Sequence, residues 1–511
     1  MITITNGATI YGVDAKKISI EINIVQGTNL YVVGLPDNAI KESQHRIESV
    51  LKFIKCEMPR QRVIVNLAPA DIRKEGASYD LPIALAILNS SHQYHLLDLD
   101  KCMILGELAL NGSLRPIKGA LPIAILVKEN NLKCFLLPKE NAQEAAIVQG
   151  IDVIPISHIS EAINFLTKKI TIEPVRPESF EKINGEINKY ELDFADVQGQ
   201  ENTKRALEIA AAGGHNLIMI GPPGGGKTMI AKRIPSILPP LTLDEALETT
   251  KIYSVMGKLQ NGFLIKQRPF QSPHHTISNI ALVGGGSNPQ PGEISLANNG
   301  VLFLDELPEF TRSALEVMRQ PLEERKVIIS RSKVSVEFPA NFMLIASMNP
   351  CPCGYYNHPT KKCVCQPSNV QKYMNKISGP LLDRIDLHIE VTPVSFEEIS
   401  SKRKSESSKD IQKRVMAARN IQIQRFEKFK NIYTNAMMPS AMVHDVCILA
   451  ETGNKLLKTA MEKLGLSARA YDRILRVART IADLDCCENI KENHIAEAIR
   501  YRSLDRNSWG M

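Results

Sequence analysis

Three short strings in the middle of the chain carry the residue types that phosphate chemistry needs. Gly221-Pro222-Pro223-Gly224-Gly225-Gly226-Lys227-Thr228 fits G-x-x-x-x-G-K-[ST]. In that pattern the glycines let backbone N–H groups wrap a phosphate at a helix N-terminus, Lys227 neutralises the outer phosphates, and the Thr228 hydroxyl ligates Mg²⁺. Seventy-seven residues beyond Thr228, Val301-Leu302-Phe303-Leu304-Asp305-Glu306 places two acids at the end of an apolar run. Asp305 suits the Mg²⁺ shell and Glu306 the polarisation of an attacking water. A third apolar run, 342–348, ends in Asn349, a neutral polar group placed to orient water near a γ-phosphate. Together these residues read as a site that binds and hydrolyses ATP with Mg²⁺.

A second constellation follows directly. Cys351-Pro352-Cys353 and Cys363-Val364-Cys365 put four of the ten cysteines within fifteen residues. Four thiolates suit tetrahedral Zn²⁺, with His358 as a spare ligand, although the one-residue spacer is tighter than that of most zinc sites. The other cysteines, including Cys486 and Cys487, read as small apolar packing groups, and disulfides are not expected in a cytoplasmic chain.

The elements that must position these groups show in the hydrophobic pattern. Runs 216–220, 301–304 and 342–348 are short and apolar and are separated by helical segments, which argues for a parallel sheet covered by helices on both faces. The first third opens with strict alternation over 18–24, the pattern of a half-buried strand. Asp37 then precedes Ile40, Ile47, Val50, Leu51 and Ile54, spaced as one face of a capped helix. Another strand covers 62–67. Residues 170–190, with Pro174, Pro177, Gly185 and many charges, read as a linker. From about 396 onward strands cease and the chain reads as helical. The expected division is 1–169, an α/β domain; 170–190, the linker; 191–395, the phosphate-binding α/β core; and 396–511, a helical domain.

Composition bounds the rest. A chain of 511 residues accommodates two to four domains. The longest apolar runs, 81–88 and 120–127, fall far below the ~18 residues of a membrane span, and the N-terminus lacks an export pattern, so no membrane association is expected. Lys and Arg number 62 against 55 Asp and Glu, a net +7. Residues 396–511 hold 21 bases and 15 acids, and 402–430 alone hold ten bases and three acids. That stretch either attracts phosphates or is a solvated basic helix.

In this order the strings resemble the AAA+ ATPases, specifically the magnesium-chelatase-like branch that includes the competence protein ComM. The resemblance spans nearly the whole chain and also rests on the string from Asn66 to Ser78, on Arg319-Gln320-Pro321-Leu322-Glu323, on the Asn349 to Gly354 string, and on Gly379 to Arg384. It implies a homohexameric ring formed with ATP between subunits. It further implies that Arg384 is the arginine finger reaching a neighbour's site and that Arg469 is the lid arginine called sensor 2. From the residues alone, Ser467 is a plausible N-cap, and Arg469, Arg473 and Arg476 share one helix face, so Arg473 remains an alternative. Residues 326–338 read as a β-hairpin with Arg331 and Lys333 at its tip. The resemblance puts this hairpin where related helicases project one into the ring pore, and a further family insertion within 277–299.

The N-terminal domain resembles the proteolytic domain of Lon. Ser78 lines up with the nucleophile, but Leu121 occupies the place of the general-base lysine, and Lys118 is the nearest substitute, so loss of proteolysis is expected. Beyond ATP hydrolysis, the resemblance implies a DNA motor that drives branch migration of single-stranded or branched recombination intermediates in natural transformation. Rival readings are a chelatase-type motor remodelling a protein partner, and a Lon-like ATP-dependent protease.

Overall fold

The computed structural model describes residues 2–176, 190–259, 264–286, 288–331, 334–356, 358, 360–393, 405–429 and 432–502. The chain forms two compact units. The first contains Met1–Glu186 together with Leu243–Ile265, and the second contains Ile187–Thr242 and Lys266–Met511. The excursion Leu243–Ile265 lies inside the stretch that the sequence pattern gives to the phosphate-binding core, yet it belongs to the first unit.

The first unit is built on a mixed seven-stranded sheet. Its strand order is Leu30–Val33, Arg62–Ala68, Asp14–Val25, Thr3–Tyr11, Cys102–Ile104, Cys134–Pro138 and Asp152–Ile156. Alternation in the second strand works as the pattern predicts, since Ile18, Ile20 and Ile22 are buried while Ser19 and Glu21 are half-buried. The helix Asn38–Phe53 starts where expected: the Asp37 carboxylate accepts from the Ile40 amide at 2.8 Å, and Ile40, Ile47, Val50 and Leu51 face the core. Cys102 and Cys134 contradict the expectation of free thiols. They face each other on adjacent parallel strands, 4.8 Å apart at Cα, and form a disulfide of 2.09 Å. Register between strands 32 residues apart brings them together, and a count of cysteines carries no information about register. Cys486 also departs from expectation, since it is exposed rather than packed.

The second unit holds a parallel five-stranded sheet ordered Phe270–Gln271, Val301–Leu304, Met343–Met348, Leu217–Ile220 and Leu387–Glu390. The strand entering the phosphate loop therefore lies between the strand ending near Asn349 and Leu387–Glu390. Ligand sites in open α/β sheets form at the carboxyl ends of the strands, which is where all three strings end. The hairpin is present: Lys326–Arg331 pairs antiparallel with Val334–Pro339, from Lys326↔Pro339 to Arg331↔Val334. Ser332 and Lys333 lie outside the described residues, as does the Arg331 side chain. The other insertion folds as a short helix, Asn279–Val283, followed by two paired two-residue strands, Gly284–Gly285 and Gln290–Pro291.

Among the described residues, the elements after Leu387–Glu390 are helical. The helix Ala468–Leu484 is capped by Ser467, whose hydroxyl accepts from the Ala470 amide at 3.2 Å, and it buries Ile474, Val477 and Ile481. The basic segment is only partly a solvated face. Within Ser408–Phe426, Arg414 binds Glu208 and Glu406, Arg419 donates to the Ala211 carbonyl, and Arg425 pairs with Asp483 at 2.6 Å. Residues 402–404 and 430 of that segment lie outside the described residues.

Candidate functional site

The phosphate loop closes because glycine is placed where the backbone turns left-handed, at Gly224 (φ +80°) and Gly226 (φ +81°). Lys227 then opens the helix Lys227–Ala231. Its ammonium is buried and donates to the carbonyls of Gly221 (2.6 Å) and Pro222 (3.0 Å) and to Asn349 Oδ1 (3.2 Å). Burial lowers the Lys227 pKa, opposed by the charges of Asp305 and Glu306. Lys227 is thus a desolvated cation held by neutral oxygens, ready to exchange them for phosphate. Asn349, predicted to sit near the outer phosphate, is brought to the lysine that neutralises it.

The Mg²⁺ residues also converge. Thr228 donates its hydroxyl hydrogen to Asp305 Oδ2 at 2.6 Å. A hydroxyl and a carboxylate in contact at the foot of a phosphate loop are the donor set that suits Mg²⁺, so the residues present fit the ion. Two contributors escaped the sequence pattern. Ser347 donates to the other carboxylate oxygen, Oδ1, fixing Asp305 from the neighbouring strand. The only signal for it was one polar residue in an otherwise apolar run. His275 approaches the second acid, with Nδ1 3.7 Å from Glu306 Oε2, and its ring packs against His274 at 4.1 Å between centroids with the planes tilted by 34°. Glu306 is itself left-handed (φ +53°), and its side chain is 57% exposed, so it is open to solvent.

The two arginines differ. Arg384 has a side chain only 9% exposed, and it donates to Glu323 and to the Pro380 carbonyl. Arg469 is 69% exposed and lies 3.7 Å from Asp383. Arg473 is spoken for: it pairs with buried Asp386, which also lies 3.4 Å from His215 Nδ1. Burial works against ionising Asp386, but the Arg473 charge, the hydrogen bond and charge of His215 and the Arg476 charge together outweigh it and hold the carboxyl well below the usual range.

The four clustered cysteines converge. Sγ of Cys351 lies 3.3 Å from that of Cys353 and 3.7 Å from that of Cys363, Cys353 and Cys363 are 3.6 Å apart, and all four sulfurs fall within 4.8 Å of one another. A tetrahedron with Zn–S bonds of ~2.3 Å has edges of about 3.8 Å, so the sulfurs are spaced for a shared ion and too far apart for disulfides. Burial pushes the Cys353 thiol up, but hydrogen bonds from the backbone at Tyr355 and Val364 and from the Cys351 and Cys365 thiols together bring it down to about 6. His358 is not a spare ligand. Its Nδ1 accepts from the amides of Thr360 (3.2 Å) and Lys361 (3.1 Å), and it stands outside the cluster.

In the Lon-like region, Ser78 lies in the turn before the helix Asp80–Ser90. Leu121 is fully buried in the first turn of Ala120–Glu129, with its amide on Glu144 Oε1 at 2.8 Å. Lys118 is not on that helix, because Gly119 (φ +75°) intervenes as its left-handed cap. The excursion helix Leu243–Met256 packs on Ala120–Glu129, and Ser254 donates to Glu144, whose carboxyl burial pushes up.

Family profiles match in three stretches: magnesium chelatase subunit ChlI over residues 193–399, the ChlI subunit of Mg-chelatase over 20–141, and the ChlI C-terminal region over 405–502. The chain is 42% identical over 501 residues to competence protein ComM of Haemophilus influenzae, covering 97% of this chain and 96% of ComM. The chain belongs to the ComM/YifB-type, magnesium-chelatase-like family of AAA+ ATPases. YifB of Escherichia coli is 43% identical over 498 residues, with the same coverage. Lon protease 2 of Bacillus subtilis is 29% identical over 257 residues, 44% of this chain and 41% of that protease. The family membership accounts for the parallel sheet, the phosphate loop and the helical C-terminal region together. ATP and Mg²⁺ are what such a site takes, and among the described residues no helix is long and apolar enough to cross a membrane.

Proposed function

We propose that this chain is a cytoplasmic ATP-driven motor on DNA, assembled as a homohexameric ring, that drives branch migration of recombination intermediates during natural transformation. The observation that carries the reading is the convergence of Lys227, Thr228, Asp305, Glu306 and Asn349 at the sheet's carboxyl end, in a chain 42% identical over almost its full length to a competence protein. Mg²⁺, held through Thr228 and Asp305, would supply charge neutralisation across the outer phosphates. Glu306 polarises the water, Lys227 and Asn349 position the γ-phosphate, and Arg384 and Arg469 add positive charge as ATP turns over. Arg331 and Lys333 at the hairpin tip grip DNA phosphates, and the four cysteines hold a structural Zn²⁺.

Proteolysis is not part of this reading, since buried Leu121 cannot accept a proton and Lys118 lies off the helix. The deciding experiment measures ATPase rate without DNA and with single-stranded, duplex and branched DNA. Stimulation greatest with branched DNA is expected. A rate indifferent to every DNA would move the assignment to a motor that remodels a protein partner.

A further inference from the structure

The cysteine cluster adjoins the nucleotide site. Cys351 is fully buried two residues beyond Asn349, so the excursion leaves the strand Met343–Met348 at the residue that contacts Lys227. It ends at Cys365, one residue before the helix Pro367–Met374, and the Tyr373 hydroxyl of that helix lies against the Asn349 backbone. Between the cysteine pairs, buried Gly354 (φ +82°) lies flat against the phosphate loop: a Cβ there would stand 2.5 Å from Pro223 Cδ.

We propose that a zinc ion on Cys351, Cys353, Cys363 and Cys365 braces Asn349 and the phosphate loop, so that zinc and nucleotide each strengthen the binding of the other. The inference rests on the zinc reading above and goes beyond a merely structural ion. An ion closing both cysteine pairs fixes the two ends of the excursion, and with them Asn349 from the strand side and from the Tyr373 side. It also fixes Gly354 against Pro223. Without the ion, weak thiol–thiol contacts among Cys351, Cys353 and Cys363 stand in place of metal–sulfur bonds, and more of the ordering of Asn349 and Pro223 falls to the nucleotide. Linkage then requires reciprocity: whatever factor zinc adds to nucleotide affinity, nucleotide adds to zinc affinity.

The test uses the full chain, with zinc content measured first and AMP-PNP with Mg²⁺ as the nucleotide probe. Zinc-loaded protein should bind AMP-PNP about tenfold more tightly than protein stripped by chelator, with affinity restored on adding zinc back, and AMP-PNP should tighten zinc against a competing chelator by the same factor. Gly354→Ala supplies an arm that does not require stripping. It keeps all four thiols, so it should retain zinc while losing about tenfold in AMP-PNP affinity, because the new methyl displaces Pro223. Stoichiometric zinc in the untreated protein, with an AMP-PNP affinity that neither stripping nor Gly354→Ala changes, would overturn the coupling and leave the zinc site standing. Protein prepared reduced and without chelator that holds no zinc would overturn the site and the coupling together.

Discussion

One ammonium on Lys227 satisfies two loop carbonyls and the amide oxygen of Asn349, while one carboxylate on Asp305 is held by Thr228 and Ser347. In the proposed site, binding falls to these atoms and water activation to Glu306, so substitutions should separate the two. Lys227→Ala removes charge-assisted bonds worth about 1.5–3 kcal/mol each, so ATP affinity should fall by ~10-fold or more. Glu306→Gln keeps the cradle intact, so equilibrium binding should be unchanged while turnover falls about 10²–10⁴-fold. Equilibrium titration and steady-state hydrolysis on the two variants distinguish the roles. A Glu306→Gln protein turning over at the normal rate would reject Glu306 as the water-activating group. All five of these central residues were legible because their chemistry dictates spacing along the chain. Ser347 and His275 were not, since each acts across a strand or loop contact that spacing cannot express.

The helix Ala468–Leu484 carries three arginines on one face, and its docking gives them different work. Arg473 is turned inward to Asp386, and this pair fastens the helix to the chain just ahead of the strand Leu387–Glu390. Arg473→Ala leaves Asp386 charged and buried beside His215, so it should destabilise the second unit by about 3–5 kcal/mol. Arg469→Ala, at an exposed position, should stay within about 0.5 kcal/mol of wild type while lowering turnover. Denaturant unfolding paired with ATPase rate reads both, and equal destabilisation by the two would refute the division. The pH dependence has a definite sign. The Asp386 carboxyl is depressed in the folded chain, so its contribution is present in full above the unfolded value of about 4 and is lost as pH falls through the folded one. Wild type and Arg473→Ala should therefore converge in stability as the solution is acidified. Periodicity and capping specified this helix well, with Ser467 and the buried stripe Ile474, Val477 and Ile481 as the pattern requires. The partner was not legible, because Asp386 lies 87 residues away and only the folded sheet places it. The same holds for Cys102 facing Cys134 and for the Leu243–Ile265 excursion joining the first unit.

At the scale of the whole molecule, assembly into the proposed ring would change what Arg384 contacts. In a single chain it is tied to Glu323, whose side chain is 56% exposed. A half-wet pair of this kind is worth about 0–1 kcal/mol, whereas a polyphosphate presents several charges in a site from which water is excluded. If a neighbouring subunit presents such a phosphate, exchanging Glu323 for it would be favourable, and the pair would act as a parking position for the arginine rather than as a fixed strut. If Arg384 serves the adjacent site, Arg384→Ala abolishes hydrolysis next door while its own phosphate loop stays intact, and Lys227→Ala does the reverse. Rings mixed from the two inactive proteins should then contain interfaces with an intact loop on one side and an intact arginine on the other, and should recover part of the wild-type ATPase rate. Glu323→Gln should keep turnover within about fivefold of wild type, since it weakens only the parked state. Verified mixed rings with no recovered hydrolysis would instead make Arg384 a structural residue of its own subunit, and a Glu323→Gln protein as inactive as Arg384→Ala would point the same way.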